Sequence, residues 1–80
     1  MSSFARLKWQ CRRGTKELDY LLESYLLKHY QQMDKDELAL FVELLNLQDS
    51  QLILFLLGDQ LPDSTALTNL VQKIRNPENI

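Results

Sequence analysis

The chain has 80 residues with a formal net charge of −2, and this length suffices for a single domain, residues 1–80, around one small core. The longest apolar run, residues 52–57, is far shorter than the roughly 20 residues of a membrane span, so no membrane insertion is expected. The single cysteine can form neither an internal disulfide nor a Cys-rich zinc site, which favours a reducing compartment and no bound metal.

The composition favours helices. Hydrophobic residues make up 45% of the chain and leucine dominates them, whereas the β-branched and aromatic enrichment typical of strands is missing. Only two glycines and two prolines interrupt the chain, so helices of several turns are permitted. We therefore expect an all-α protein, a compact bundle of about five short helices packed as neighbours.

The first two predicted helices are separated by Gly14. Ser2 or Ser3 is suited to cap the first helix, whose apolar stripe is Phe4, Leu7 and Cys11. Thr15 is suited to cap the second helix. That helix carries one amphipathic stripe, formed by Leu18, Leu21, Leu22, Tyr25, Leu26 and His29.

The third predicted helix begins with a capping box in which Asp34 and Glu37 satisfy each other's backbone N–H groups. Its wide apolar face suggests that it is the central helix, and the face contains Leu38, Leu40, Phe41, Val42, Leu44, Leu45 and Leu47. The fourth helix begins at Asp49 or Ser50 and ends at Gly58. Its apolar residues are Leu52, Ile53, Phe55, Leu56 and Leu57.

The fifth predicted helix follows Pro62 and is capped by Asp63 or Ser64. Pro77 ends it, because proline disfavours helical backbone in the residue before it. Its buried positions are expected to be Leu67, Leu70, Val71 and Ile74.

The residue types do not indicate an enzyme. Nucleophilic catalysis needs a nucleophile, a base and an orienting group within reach of one another, and the chain has one cysteine and one histidine. Cys11 lies on an apolar stripe, where a free thiol behaves as a small hydrophobic residue, and His29 lies on the buried stripe of the second helix. Glu17 and Asp19 are two positions apart, so on a helix they cannot form a carboxylate pair.

Charge is distributed unevenly along the chain. Residues 1–16 hold five basic residues and no acidic one, whereas residues 17–80 hold four basic and eleven acidic residues. A basic end on an acidic body is typical of a docking surface for an acidic partner, and equally of a solvated charged face. Nucleic acid needs a longer basic stripe than this, so no nucleic-acid partner is expected.

Residues 9–19 have two interpretations. If the segment is only a corner between two helices, Gly14 takes a positive φ or allows the helices to approach closely. Glu17 then lies near the positive end of the dipole of the second helix. As a contact surface, the segment concentrates tryptophan and arginine, which are enriched at interface hot spots. The residues alone leave both interpretations open. In either case Arg13 and Glu17 are expected to be largely exposed.

Residues 7–19, with the sequence LKWQCRRGTKELD, resemble the signature of the succinate dehydrogenase assembly factor family, the small FAD assembly factors or flavinators. The family hallmark is Arg-Gly-x-x-Glu, which Arg13, Gly14 and Glu17 match. Trp9 four positions upstream and the Leu-Asp pair after the motif make the match more specific. Further along the chain, the family's pattern of a Phe, a Leu pair, an Asp and a Leu resembles the set Phe41, Leu44, Leu45, Asp49 and Leu52.

The resemblance implies a five-helix bundle that is not an enzyme. It implies a chaperone that binds the flavoprotein subunit of succinate dehydrogenase or fumarate reductase and promotes covalent attachment of FAD to a histidine of that client. The chain itself would hold no tightly bound cofactor, although its basic motif permits contact with the client's FAD. The partner-binding residues that the resemblance implies are Trp9, Arg12, Arg13, Gly14, Glu17 and Asp19.

The resemblance, together with the N-terminal sequence, implies a location. The N-terminus has no apolar segment of a secretory signal, and residues 1–4 are too short for a transit peptide, so a bacterial, cytoplasmic protein is expected. A competing interpretation is an antitoxin-like or other protein–protein interaction module without a flavoprotein client. That module would use the same kind of surface, so only the identity of the partner distinguishes the two.

Overall fold

The computed structural model describes residues 4–76, and these form helices and no strand. The helices are α1 (Phe4–Gln10), α2 (Lys16–His29, followed by a 3-10 turn at Tyr30–Gln32), α3 (Lys35–Leu45), α4 (Asp49–Leu52, continued as a π-helix at Ile53–Leu57) and α5 (Thr65–Arg75). The predicted all-α class and the five helical segments are confirmed. Within residues 4–76, no single helix is long and apolar enough to cross a membrane.

All five helices contribute to one apolar core. Phe41 of α3 is its largest fully buried side chain, and its ring stacks on that of Tyr25 at a centroid distance of 6.0 Å. Helix α5 packs against α2, α3 and the π-helical segment, and the expectation that α3 is the central helix stays a prediction. Helix α5 buries its whole predicted stripe, whereas α3 buries Phe41, Leu44 and Leu45 and leaves the other apolar residues of its face partly buried.

The capping predictions are confirmed in part. The Asp34 carboxylate accepts the N–H of Glu37 at 2.8 Å, and the Ser64 hydroxyl accepts the N–H of Leu67 at 3.3 Å. The carboxylate of Glu37 does not complete the expected capping box, because it accepts the hydroxyl of Tyr25 at 2.6 Å and thereby joins α2 to α3. The predicted cap at Ser2 or Ser3 and the predicted end at Pro77 lie outside the described residues.

Helix α4 ends at Gly58 as expected, but through π-helical spacing that the sequence did not predict. The N–H of Gly58 donates to the carbonyl of Ile53 at 2.8 Å, five residues back. A Cβ on Gly58 would lie 2.9 Å from the carbonyl oxygen of Leu54. Glycine is therefore required at this position by close approach of the backbone.

Helices α1 and α2 form an antiparallel hairpin. At one end the ring of Phe4 meets the ring of Tyr30 edge-on, at a centroid distance of 4.9 Å. At the other end residues 11–15, called the corner below, connect the two helices. This arrangement places the whole of the motif, from Trp9 to Asp19, at one end of the hairpin.

Candidate functional site

The backbone of the corner makes hydrogen bonds between residues close in the sequence and contains one residue in the left-handed conformation. The N–H of Cys11 donates to the carbonyl of Leu7 at 3.1 Å, and the N–H of Arg12 donates to the carbonyl of Trp9 at 3.1 Å. Gly14 has a φ of +87°, as one of its two predicted roles requires. The other role, close helix approach, is not needed, because no heavy atom lies within 4 Å of a Cβ placed on Gly14.

Helix α2 starts without the expected side-chain cap. Thr15 occupies the N-cap position with extended backbone, but its hydroxyl makes no capping hydrogen bond. Its carbonyl accepts the N–H of Asp19 at 2.9 Å, which is the first turn of the helix. Glu17 and Asp19 lie in this first turn, where their negative charge is favourable beside the exposed N–H groups of the helix.

Arg13 points into the protein. Its Nε–H donates to Oδ1 of Asp49 at 2.8 Å, and Nη2 donates to the carbonyl of Leu47 at 2.9 Å. Nη1 donates to the carbonyls of Gln10 and Leu45, both at 3.0 Å. We call this set of contacts the Arg13 clamp. It ties the corner to the turn between α3 and α4.

The expectation that Arg13 is largely exposed is wrong, since its side chain is only 16% exposed. The physical reason lies in the helix ends. Gln10 and Leu45 are the last residues of α1 and α3, and the carbonyls at helix C-termini lack partners within the helix. A guanidinium carries five donors in a planar fork, so one cation satisfies both helix ends and interacts favourably with both dipoles.

Asp19 also faces inward. Its Oδ1 accepts the backbone N–H of Arg13 at 2.6 Å, across six residues, and it is half-buried. Two of the six residues that the resemblance implied as partner contacts, Arg13 and Asp19, therefore bind other parts of this chain.

The other four residues are exposed and lie in the corner or within two residues of it. The side chain of Trp9 is 73% exposed, and Arg12, Gly14 and Glu17 are exposed as well. The expectation of an exposed Glu17 is confirmed. We call these four residues the exposed corner face. It combines an aromatic ring, a guanidinium and a carboxylate within the nine residues 9–17.

Two further residues, Tyr20 and Asp49, were not predicted as site residues from the sequence. Tyr20, in the first turns of α2, is 69% exposed, and its position outside the leucine stripe of that helix was the available signal. From the sequence, Asp49 is predicted only as a possible start of the fourth helix and as part of a downstream pattern, whereas the structure makes it the acidic partner of Arg13.

Cys11 is a buried structural residue, as predicted. Its side chain is inaccessible to solvent, and burial raises the pKa of the thiol from 9.0 to about 12. The negative charges of Glu23 and Asp19 contribute to this rise after burial, and the opposing effect of Arg13 does not compensate. Because the thiolate is the nucleophilic form, this thiol is unreactive at neutral pH.

The remaining candidates for chemistry are apart from one another. His29 is half-buried and its ring lies 4.5 Å from that of Tyr25, at the end of the hairpin opposite the corner. Among residues 4–76, no three His, Cys, Asp or Glu residues are grouped as metal ligands. An open cleft lies near His29, away from the corner, and it is lined by Phe4, Leu27, Lys28, Tyr30, Gln31 and Gln32.

Residues 5–78 match the model of a protein family described as flavinator of succinate dehydrogenase. The chain is 44% identical over 75 residues to the FAD assembly factor SdhE of Methylococcus capsulatus, covering 94% of this chain and 90% of the relative. It is 36% identical over 70 residues to the protein of that name from Coxiella burnetii, covering 88% and 85% of the two chains. The protein of that name from Legionella pneumophila is 36% identical over 72 residues, or 90% of each chain. No solved structure matches the chain.

Proposed function

Since this chain belongs to the family of flavinators of succinate dehydrogenase, we propose that it binds the flavoprotein subunit of that enzyme and promotes covalent attachment of FAD. It is an assembly factor and not itself an enzyme. The proposal commits to the exposed corner face as the surface that contacts the client. The proposal assigns no direct contact to Arg13 or Asp19, because the guanidinium of Arg13 and one carboxylate oxygen of Asp19 are bound within the chain.

The observation that carries this proposal is that Trp9 and Arg12 are exposed, while the Arg13 clamp attaches the corner to the turn between α3 and α4. A tryptophan that is 73% exposed has a large apolar area in water, which favours burial against a partner. Tryptophan and arginine are also the residue types that contribute most often to interface hot spots. Glu17 adds a carboxylate that can pair with a basic group of the client.

The contribution to flavinylation is positioning. Holding reacting groups in the correct geometry removes much of the entropic part of a barrier without any catalytic group on the factor. This fits the chain, because Cys11 is buried with a raised pKa and His29 is packed on Tyr25. We propose that the factor holds the client's flavoprotein fold in a reactive conformation, while bond formation belongs to the client and its FAD.

The residues of the corner do not fit a tight FAD site. The pyrophosphate of a dinucleotide is usually bound at a glycine-rich turn that leads into a helix N-terminus. Here Gly14 does lead into α2, but Glu17 and Asp19 place two carboxylates in the first turn of that helix. Their negative charge opposes a phosphate there. We therefore propose that the chain alone does not bind FAD tightly.

The proposal has two finer parts, a second client and a place of action. We propose the flavoprotein subunit of fumarate reductase as a second client, because the resemblance of residues 7–19 to the family implies it. We propose the bacterial cytoplasm as the place of action, which the bacterial origin of the relatives supports. Purified fumarate reductase flavoprotein, tested beside the succinate dehydrogenase subunit, checks the first of these.

The test uses the purified flavoprotein subunit without cofactor, free FAD and this chain. Covalent flavin is measured as fluorescence of the client band in a denaturing gel, with and without the chain. We expect wild type to increase covalent flavin, and Trp9→Ala, Arg12→Ala and Glu17→Ala to reduce that increase at unchanged melting temperature. Matched controls are Glu43→Ala and Lys35→Ala, which remove an exposed charge on α3. No stimulation by wild type, or full stimulation by all three corner variants, contradicts the proposal.

A further inference from the structure

The Arg13 clamp joins two turns that are distant in the sequence. Arg13 lies in the corner, and its acceptors at Leu45, Leu47 and Asp49 are 32 to 36 residues further along the chain. Leu47 lies in the turn between α3 and α4, and Asp49 is the first residue of α4. One side chain thus joins the corner to the turn between α3 and α4.

The chemistry of the clamp requires arginine. Three nitrogen atoms of one guanidinium donate to three carbonyls and one carboxylate, all between 2.8 and 3.0 Å. A lysine ammonium is a point charge that cannot reach separate acceptors on two helix ends at the same time. Asp49 supplies the only carboxylate among these acceptors, so it neutralises a cation that is largely removed from water.

We infer that Arg13 and Asp49 are positioning residues, which act on client binding by fixing the exposed corner face. This inference rests on the proposed function. An interface that is already ordered loses less conformational entropy when a partner binds. The clamp supplies that order, because it holds the corner at a fixed place relative to α3 and α4. Asp49 thereby acquires a role although it lies outside the Arg-Gly-x-x-Glu motif.

A direct contact between Arg13 and the client is the competing explanation, and it makes a different prediction. If Arg13 contacted the client through its charge, client binding would largely survive Arg13→Lys and would not depend on Asp49. A clamp is lost in Arg13→Lys and weakened in Asp49→Asn, and Asp49→Glu retains it. Asp59→Asn serves as the control, because it neutralises an exposed aspartate in the loop after α4.

The first measurement is amide hydrogen exchange in the free protein. The reporters are the amides of Arg12, Arg13 and Leu47, which are hydrogen-bonded at the two turns. We expect exchange there to rise about tenfold in Arg13→Lys and Asp49→Asn, because hydrogen bonds to charged groups are lost. Amides in the buried parts of α2 and α3 should keep their protection, which separates loosening of the corner from loss of global stability.

The second measurement is the dissociation constant for the purified flavoprotein subunit, at a temperature where all variants are folded. We expect binding to weaken about tenfold in Arg13→Lys and Asp49→Asn and to stay near wild type in Asp49→Glu and Asp59→Asn. The double variant of Arg13→Lys and Asp49→Asn should bind no more weakly than Arg13→Lys alone, because both changes break one clamp.

Two results overturn the inference. Unchanged exchange at the two turns in both clamp variants shows that the clamp does not hold the corner. Faster exchange with unchanged affinity shows that holding the corner is irrelevant to the client. If wild type itself does not bind the flavoprotein, the proposed function fails and the positioning role fails with it, while the exchange data still report on the clamp.

Discussion

The backbone N–H of Arg13 donates to Oδ1 of Asp19 at 2.6 Å, so that the first turn of α2 closes the corner that precedes it. The guanidinium of Arg13 donates to Asp49 and to the carbonyls at the ends of α1 and α3. Arg13 is therefore bound through both its backbone and its side chain. The motif divides into an inward part, Arg13 and Asp19, and an outward part that includes Arg12 and Glu17.

Asp19 and Glu17 are predicted to differ in what they contribute. Asp19→Ala should lower the free energy of unfolding by about 1–3 kcal/mol, because the half-buried N–H of Arg13 loses its acceptor. Glu17→Ala, in the same helical turn but exposed, should cost at most about 1 kcal/mol from the helix dipole. Urea unfolding of both variants measures this difference. Equal losses of stability would mean that the Arg13–Asp19 bond does not stabilise the corner.

Gly14 is required for its backbone conformation and not for lack of space. Gly14→Ala should cost about 1–2 kcal/mol, because left-handed backbone is unfavourable for a residue with a Cβ. Gly14→Arg should cost about the same, since no heavy atom lies within 4 Å of the Cβ position. Its client binding should fall further than that of Gly14→Ala, because the added side chain projects from the exposed corner face. Thermal melts and client titrations of the two variants test this, and a much lower melting temperature for Gly14→Arg would contradict it.

The buried thiol predicts a dependence of stability on alkaline pH. The pKa of Cys11 is about 12 in the folded protein, above its ordinary value of 9.0, so the folded state keeps a proton that the unfolded state releases. This contribution is complete below pH 9 and is lost as the pH rises towards 12. It amounts to a slope of up to about 1.4 kcal/mol per pH unit.

The measurement is urea unfolding of wild type and Cys11→Ala at several pH values from 8 to 11. Other groups titrate in both proteins, so the difference between the two curves isolates the thiol. We expect the stability advantage of wild type to shrink as the pH rises. Parallel curves would contradict the assignment, and so would rapid labelling of the thiol at neutral pH by a thiol reagent.

Phe41 is predicted to be the most costly core position. Phe41→Ala should reduce the free energy of unfolding by about 3–5 kcal/mol, because the ring is fully buried and stacked on Tyr25. Leu54→Ala is a suitable control, since that side chain is 42% exposed and should cost about 1 kcal/mol or less. Chemical unfolding followed by circular dichroism gives both values. A loss below about 1 kcal/mol for Phe41→Ala would mean that α3 is packed differently.

The fold was predictable because its signals are local. Leucine stripes at helical spacing identified the buried faces of α2 and α5, and Asp34 and Ser64 lie three residues before the amide groups that they cap. The exposure of Glu17 and the positive φ of Gly14 followed from the same local reasoning.

The inward role of Arg13 was not predictable in this way. Its acceptors include backbone carbonyls more than 30 residues away, and a carbonyl group is present in every residue, so the sequence contains no signal for these bonds. The set of helices that α5 packs against likewise depends on how the whole chain folds. The π-helical end of α4 depends on the backbone around Gly58 in the folded chain.

The most direct test of the account compares stability and function in one pair of variants, Arg12→Ala and Arg13→Ala. These residues are adjacent, and each change removes one guanidinium, but Arg12 is exposed and Arg13 is clamped. The measurement is the free energy of unfolding of each variant beside its stimulation of covalent flavin on the succinate dehydrogenase flavoprotein. We predict that Arg12→Ala unfolds within about 0.5 kcal/mol of wild type but loses stimulation, whereas Arg13→Ala loses both stimulation and about 1–3 kcal/mol of stability, because the carbonyls at the ends of α1 and α3 lose their donor. Wild-type stability in Arg13→Ala, or full stimulation by Arg12→Ala, would contradict the division of the motif into an inward clamp and an outward contact surface.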